Sequence, residues 1–182
     1  PWDVVLEALG TPFRGASEAG APIVLKLLGA VSGDATLMQR MENAARAGLV
    51  ELLPPTGRDE ALDQQQQADL LLHLAFARGN GFLPVKFLEY LNAGPPILVV
   101  APDPENTGPI VERTGTGRVA RTAEEVHEVL QEHLRAFEKG APITCSPKAA
   151  ELAEYSYPYQ MDRWVDLLEA AVNETRSGRT KA

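Results

Sequence analysis

A single cysteine, Cys145, is all that the 182 residues carry. One thiol excludes an internal disulfide and fits a reducing compartment. No apolar run approaches the roughly 18 residues of a spanning helix, so no segment reads as crossing a membrane. No signal-peptide pattern opens the chain. Positive charge is scarce: 17 Lys and Arg face 25 Asp and Glu, a net charge of −8. That balance argues against nucleic acid as a main partner, which needs a basic footprint. A small phosphorylated ligand needs only one or two local cations and stays allowed. No Ser-His-Asp order, nucleophile elbow or Cys–His pair is legible. No metal-ligand spacing is legible either; His127 and His133 stand six apart on a helical pattern and share no face.

What is present is a core and a rhythm. Hydrophobic residues make up 45% of the chain, enough for one domain or a little more. Short apolar runs alternate with amphipathic helical patterns, and no hairpin signal separates them. The alternation predicts helices over 2–9, 34–47, 58–67, 84–94, 105–114 and 122–139, with strands at 23–28, 50–53, 70–74, 97–101 and 117–120. Strand–helix alternation of this kind gives an α/β fold, a Rossmann-like doubly wound parallel sheet with helices on both faces. Thr122 and Glu125 form a capping box. Gln64 to Gln67 read as the wet end of their helix. Residues 1–140 form the domain, and 141–182 add helices that pack back on it or reach toward a neighbouring half. In the last of these, Met161, Trp164, Val165, Leu168, Ala171 and Val172 share one face. Because Pro1 opens almost directly on a helix, we expect a longer parent protein.

The densest chemistry lies in residues 68–94. An apolar run ends at Leu74, a loop bearing Gly79, Asn80, Gly81, Phe82 and Leu83 follows, and a helix starts near Pro84. Gly79 and Gly81 let backbone approach a ligand closely. Such a loop, between a parallel strand and a helix N-terminus, is where open α/β sheets bind anions. Lys86 and Glu89 share a face of that helix. They read either as a solvated surface pair, or as a phosphate partner and an acceptor for sugar hydroxyls. His73 either faces the ligand or sits in the core. Asp103 and Glu105, in an Asp-Pro-Glu turn, read as a helix cap rather than a carboxylate dyad.

The run 84–98, Pro-Val-Lys-Phe-Leu-Glu-Tyr-Leu-Asn-Ala-Gly-Pro-Pro-Ile-Leu, resembles the Pro-x-Lys-x-x-Glu-Tyr-Leu-x-x-Gly-x-Pro-Ile segment of GT-B glycosyltransferases of the family-4-like group. The likeness takes in Leu53-Pro54-Pro55 and Ala68-Asp69-Leu70 upstream, and Gly108-Pro109-Ile110-Val111 and Thr114-Gly115-Thr116-Gly117 downstream. It spans residues 22–140, the donor-binding half of such an enzyme. The resemblance implies a nucleotide-diphosphate sugar as substrate and retaining glycosyl transfer without a metal or other cofactor. It implies Glu89 on the ribose and Lys86 on the phosphates. Gly79, Asn80, Gly81, Phe82 and Leu83 would meet phosphate and sugar, and Leu53, Pro54 and Pro55 would meet the base. The acceptor, a sugar or lipid-linked glycan, would be held by another half of the protein. The implied place is the cytoplasm, at the inner membrane surface where a lipid-linked acceptor is met.

Three departures accompany the likeness. A glutamate usual eight residues before the second one falls on Gly81. An Arg/Lys pair that follows the family domain's first strand has no counterpart, and neither has the acceptor half. The chain alone is therefore expected to bind weakly and catalyse nothing. Two other functions suit the same architecture: a non-catalytic nucleotide-binding or interaction domain, and a nucleotide-sugar epimerase. In the strand order 3-2-1-4-5-6, residues 23–28 are strand 2 and 70–74 strand 4, with no strand 1 between them. We expect the slot to be closed in one of three ways. Its flanking strands pair directly, the N-terminal segment becomes a strand, or self-association through the exposed edges brings a strand from another chain.

Overall fold

The computed structural model describes residues 2–11, 23–29, 34–75, 83–100, 106–141 and 143–179. In chain order these form α1 (Trp2–Gly10), β1 (Leu25–Leu28), α2 (Ala35–Arg46), β2 (Val50–Leu53), α3 (Arg58–Gln66), β3 (Leu71–Leu74) and α4 (Val85–Ala93). Then follow β4 (Ile97–Val100), α5 (Gly108–Thr114), β5 (Gly117–Ala120), α6 (Ala123–Glu138), α7 (Ala149–Ala153) and α8 (Tyr157–Arg179). The fold is α/β, with parallel strands in two small sheets flanked by helices, the plan of a Rossmann-like half domain. One sheet pairs β1 with β2, the other runs β3-β4-β5. Their registers set Leu25 opposite Val50, and Leu71 opposite Ile97, itself opposite Gly117.

Side chains alternate across a strand, so β4, apolar at all four positions, must be covered twice. Leu98 and Val100 point into one cluster with Ala120, Val5, Ala8 and Leu9 of α1, and Val126, Val129 and Leu130 of α6. Ile97 and Val99 point into the other, with Leu71, Ala75, Phe87 and Leu91 of α4, and Ile110 and Val111 of α5. Burying the larger of these side chains, Val, Leu, Ile and Phe, contributes roughly 1.5–3 kcal/mol each before entropy is counted. Ile23 and Leu25 pack against the first cluster, so its helical layer serves both sheets.

The helix ends follow their local chemistry. Asp34 caps α2 by accepting from the N–H groups of Thr36 (2.9 Å) and Leu37 (3.1 Å). Thr122 caps α6 through the Glu125 N–H at 3.3 Å. The Glu125 carboxylate returns to the N–H of Arg121 at 2.6 Å, one residue before the cap, so the capping box is offset by one. At the end of α5 the Thr114 hydroxyl lies 2.7 Å from the Ile110 carbonyl and 2.8 Å from the Thr116 hydroxyl. Gly115 then takes φ +67°, which a glycine adopts without strain. α7 is tied to α5 through Arg113, which bonds Glu151 (2.5 Å), Glu154 (2.9 Å) and the Tyr155 hydroxyl (2.6 Å).

Two expectations need correction. The first is closure of the slot within the chain: among the described residues the strands form two sheets. Among the described residues no strand lies between β1 and β3, and these two do not pair. Among the described residues the N-terminal segment forms α1 rather than a strand. Its apolar residues have a period near 3.6, so a helix gathers Val5, Ala8 and Leu9 into one core, which a period of two would split. A strand from another chain is the expectation that these edges leave standing. The second correction is Gln65, read as part of a wet helix end. It is 8% exposed, and its Oε1 has no hydrogen-bond partner.

α8 carries its apolar face in the open: Trp164, Leu167 and Leu168 are each about 60% exposed. Among the described residues no helix is long and apolar enough to cross a membrane.

Candidate functional site

Chain direction collects the loops of interest at the carboxyl edge of the strands. β2 ends at Leu53 and passes into the exposed Pro54 and Pro55. At the end of β1, Gly29 takes φ +66° and donates its N–H to the Leu53 carbonyl at 3.0 Å. A Cβ on Gly29 would meet the Pro55 Cα at 3.4 Å, so this turn leans on the prolines. Thr56 donates its hydroxyl to the Glu60 carboxylate, and α3 starts at Arg58. β3 ends at Leu74, and the N–H of Ala75 reaches the Val100 carbonyl at 3.0 Å.

α4 begins after Pro84, whose extended conformation enters the helix without a side-chain cap. Its first-turn N–H groups therefore have no cap side chain, a setting that favours an anion. Phe87 and Leu91 are buried and hold the helix down. Lys86 and Glu89 stand on its other side. Lys86 Nζ lies 2.8 Å from Glu89 Oε2, and Arg58 Nη2 of α3 lies 4.0 Å from Glu89 Oε1. The Glu89 side chain is only 17% exposed, against 54% for Lys86 and 79% for Arg58. One partly shielded carboxylate thus sits between two helices with a cation at each oxygen. Its charge is felt nearby: burial first, and then Glu89, push the Tyr90 hydroxyl above its usual pKa.

Gly79, Asn80, Gly81 and Phe82 lie outside the described residues, as do Asp103 and Glu105. Leu83 is half-buried and packs toward the α4 cluster. Lys86 and Glu89 are brought together, and they do form the i,i+3 pair that the plainer reading foresaw. Glu89's shielding and its contact with a second element go beyond a solvated pair. Leu53, Pro54 and Pro55 lie just before α3, on the Arg58 side. Arg58 itself was missed. Its one local signal is a cation in the first turn of a helix, where the dipole disfavours it.

His73 resolves to the core. The alternation of β3 turns it with Leu71 toward α4, where its ring lies 4.9 Å from that of Phe87, and it is 8% exposed. Burial lowers its pKa to about 4, against 6.5 for a free histidine. The unfolded chain therefore takes up this proton first as pH falls. Stability from His73 is complete above about pH 6.5 and is lost toward pH 4. At pH 4.5 the expected loss is about 2 kcal/mol relative to His73→Gln. Urea melts of both proteins at pH 7.5 and 4.5 measure it; parallel pH profiles would show that His73 titrates normally.

The other candidates make structural contacts. His127 Nδ1 lies 3.3 Å from the Ala8 carbonyl, and His133 Nδ1 lies 2.8 Å from that of Val129. Cys145 Sγ lies 3.8 Å from the Gly94 carbonyl, and burial raises its thiol pKa. Among the described residues no group of three His, Cys, Asp or Glu could hold a metal. An open hollow of about 430 Å³, lined by Gln66, Asp69, Pro96, Phe137 and Ile143, lies at the opposite, amino edge of β3 and β4.

No family model matches the chain, and no curated protein matches it. The chemistry of the site rests on its own groups. A carboxylate with two acceptor oxygens suits a vicinal diol. A lysine beside an uncapped helix N-terminus suits phosphate.

Proposed function

We propose that this chain is the donor-binding half of a GT-B-type glycosyltransferase that uses a nucleotide-diphosphate sugar. The observation that carries it is Glu89, shielded between α3 and α4 at the carboxyl edge with Lys86 Nζ 2.8 Å away. It gives physical substance to the two motif residues from which the resemblance assigns ribose and phosphate.

On this reading the ribose hydroxyls donate to Glu89. The phosphates face the first turn of α4, where backbone N–H groups and Lys86 offer positive potential. The base lies toward Leu53, Pro54 and Pro55. Glycosyl transfer leaves negative charge on the departing diphosphate oxygen. Lys86 and the helix N-terminus stabilise charge that grows there as the sugar–oxygen bond breaks. A metal is not required for that task. The sugar, oxocarbenium-like in the transition state, is attacked by an acceptor that a further part of the protein holds.

The phosphate assignment has its own test. Lys86→Ala should weaken a nucleoside diphosphate by about 1.5 kcal/mol and leave the nucleoside unchanged, because a phosphate partner contributes only where phosphate is present. Calorimetry with uridine, UMP and UDP, or with the guanine series, measures it. Equal losses across a series would make Lys86 a packing residue and remove the phosphate from this helix end.

A further inference from the structure

We propose that Arg58 reads the base of the bound nucleotide and favours a keto base, uracil or guanine, over an amino base, cytosine or adenine. This rests on the assignment of Glu89 to the ribose.

Each oxygen of the Glu89 carboxylate has its own cation. Lys86 approaches Oε2 at 2.8 Å, and Arg58 approaches Oε1 at 4.0 Å from a different helix. A ribose held by its 2′,3′ edge has the same polarity. Its 2′-hydroxyl lies next to the carbon bearing the base, and its 3′-hydroxyl lies toward the 5′ arm bearing the phosphates. With Lys86 and the start of α4 taking the phosphate end, the Oε1 side is the base end, and Arg58 stands there. Arg58 also follows directly on Leu53, Pro54 and Pro55, with only Thr56 and Gly57 between.

Arginine is equally at home on phosphate, so local charge must decide. Asp59 and Glu60 follow Arg58 in the first turn of α3. Two carboxylates beside it make that spot poor for a dianionic group, while a neutral base is indifferent to them. The Arg58 side chain is 79% exposed, and its 4.0 Å approach to Glu89 is an ion pair without hydrogen-bond geometry. A pair this exposed contributes little to stability, so it does not explain why the residue is there.

A guanidinium offers donors only and has a flat face. The face can stack on any base. The donors discriminate. Uracil O4 and guanine O6 accept from them, guanine adding N7, whereas cytosine and adenine present an amino group at the corresponding position.

The test is calorimetry of the 182-residue chain with UDP, GDP, CDP and ADP, for the parent, Arg58→Ala and Arg58→Lys. The parent should bind its better keto nucleotide about tenfold more tightly than CDP or ADP. Arg58→Ala should bring all four to within about threefold of one another, and Arg58→Lys should fall between, since it keeps the charge without the fork. The gain from UMP to UDP should be the same in parent and Arg58→Ala. A parent without base preference overturns the proposal. So does an Arg58→Ala protein that weakens all four ligands equally, or one in which the UMP-to-UDP gain shrinks, which would place Arg58 on phosphate. In those outcomes a loss in Glu89→Ala would still uphold the ribose assignment. If none of the four binds the parent, both readings fall together.

Discussion

Gly117→Ala is expected to cost about 4 kcal/mol or to prevent folding altogether. Gly117 opens β5 opposite Ile97 of β4, and the Thr116 carbonyl beside it accepts the Ile97 N–H at 2.9 Å. A Cβ on Gly117 would collide with the Ile97 backbone, its carbonyl oxygen first. Backbone cannot rotate aside as a side chain can. Nor can β4 retreat, because it is buried on both faces between α1 and α6 on one side and α4 and α5 on the other. The two strands must part, and the ladder that joins β3, β4 and β5 loses its last rung. Gly10 supplies the control: nothing lies within 4 Å of a Cβ there, so Gly10→Ala should be near neutral. Urea melts of the three proteins measure the difference. A Gly117→Ala protein that melts with the parent would contradict the close approach of β5 to β4.

Much of this fold could be read before any coordinates. α2, α4 and α6 declare themselves because apolar spacing, caps and stops agree: Asp34 and Gly48 around α2, Pro84 and Gly94 around α4, Thr122 and Glu125 on α6. β4 is legible because four consecutive apolar residues with proline before them fit only a strand covered twice. In the sequence Gly117 stands out as part of a motif and not as a steric necessity. Glycine's reason is the neighbour it approaches, and Ile97 is twenty residues away in sequence. The division into two sheets was half visible. Strand order located the slot between β1 and β3, but whether two edges will close on each other depends on tertiary packing. α1, by joining α6 over the first cluster, takes up residues 2–10, one of the segments expected to fill it.

The site divides along the same line. Lys86 and Glu89 share one helix, so local periodicity finds both. Arg58 comes to Glu89 from another helix through tertiary folding, and nothing in its neighbours points there. His73 could not be assigned from its strand alone, since alternation says which residues share a face but not which face meets α4. Gln65 shows the reverse error: a run of four glutamines reads as solvated, yet the packing of α3 against α4 buries one of them.

Glu89 carries the central claim, and Glu89→Ala has the other large expected effect. On the proposed reading, removing the carboxylate deletes one or two charge-assisted hydrogen bonds to ribose, about 2–4 kcal/mol in binding. Stability should hardly move, because both of its ion-pair partners are exposed and can return to water. The loss should also differ in kind from that of Lys86→Ala. Ribose is common to nucleoside, monophosphate and diphosphate, so all three should weaken alike.

The most direct measurement is a binding cycle in calorimetry. It pairs the parent and Glu89→Ala with the tightest-binding ribonucleoside diphosphate and with its 2′,3′-dideoxy analogue. The parent should prefer the ribonucleotide by about 2–4 kcal/mol, Glu89→Ala should lose this preference, and both proteins should bind the dideoxy analogue equally. A parent that binds the two ligands alike, or a folded Glu89→Ala that keeps the preference, would contradict the ribose assignment.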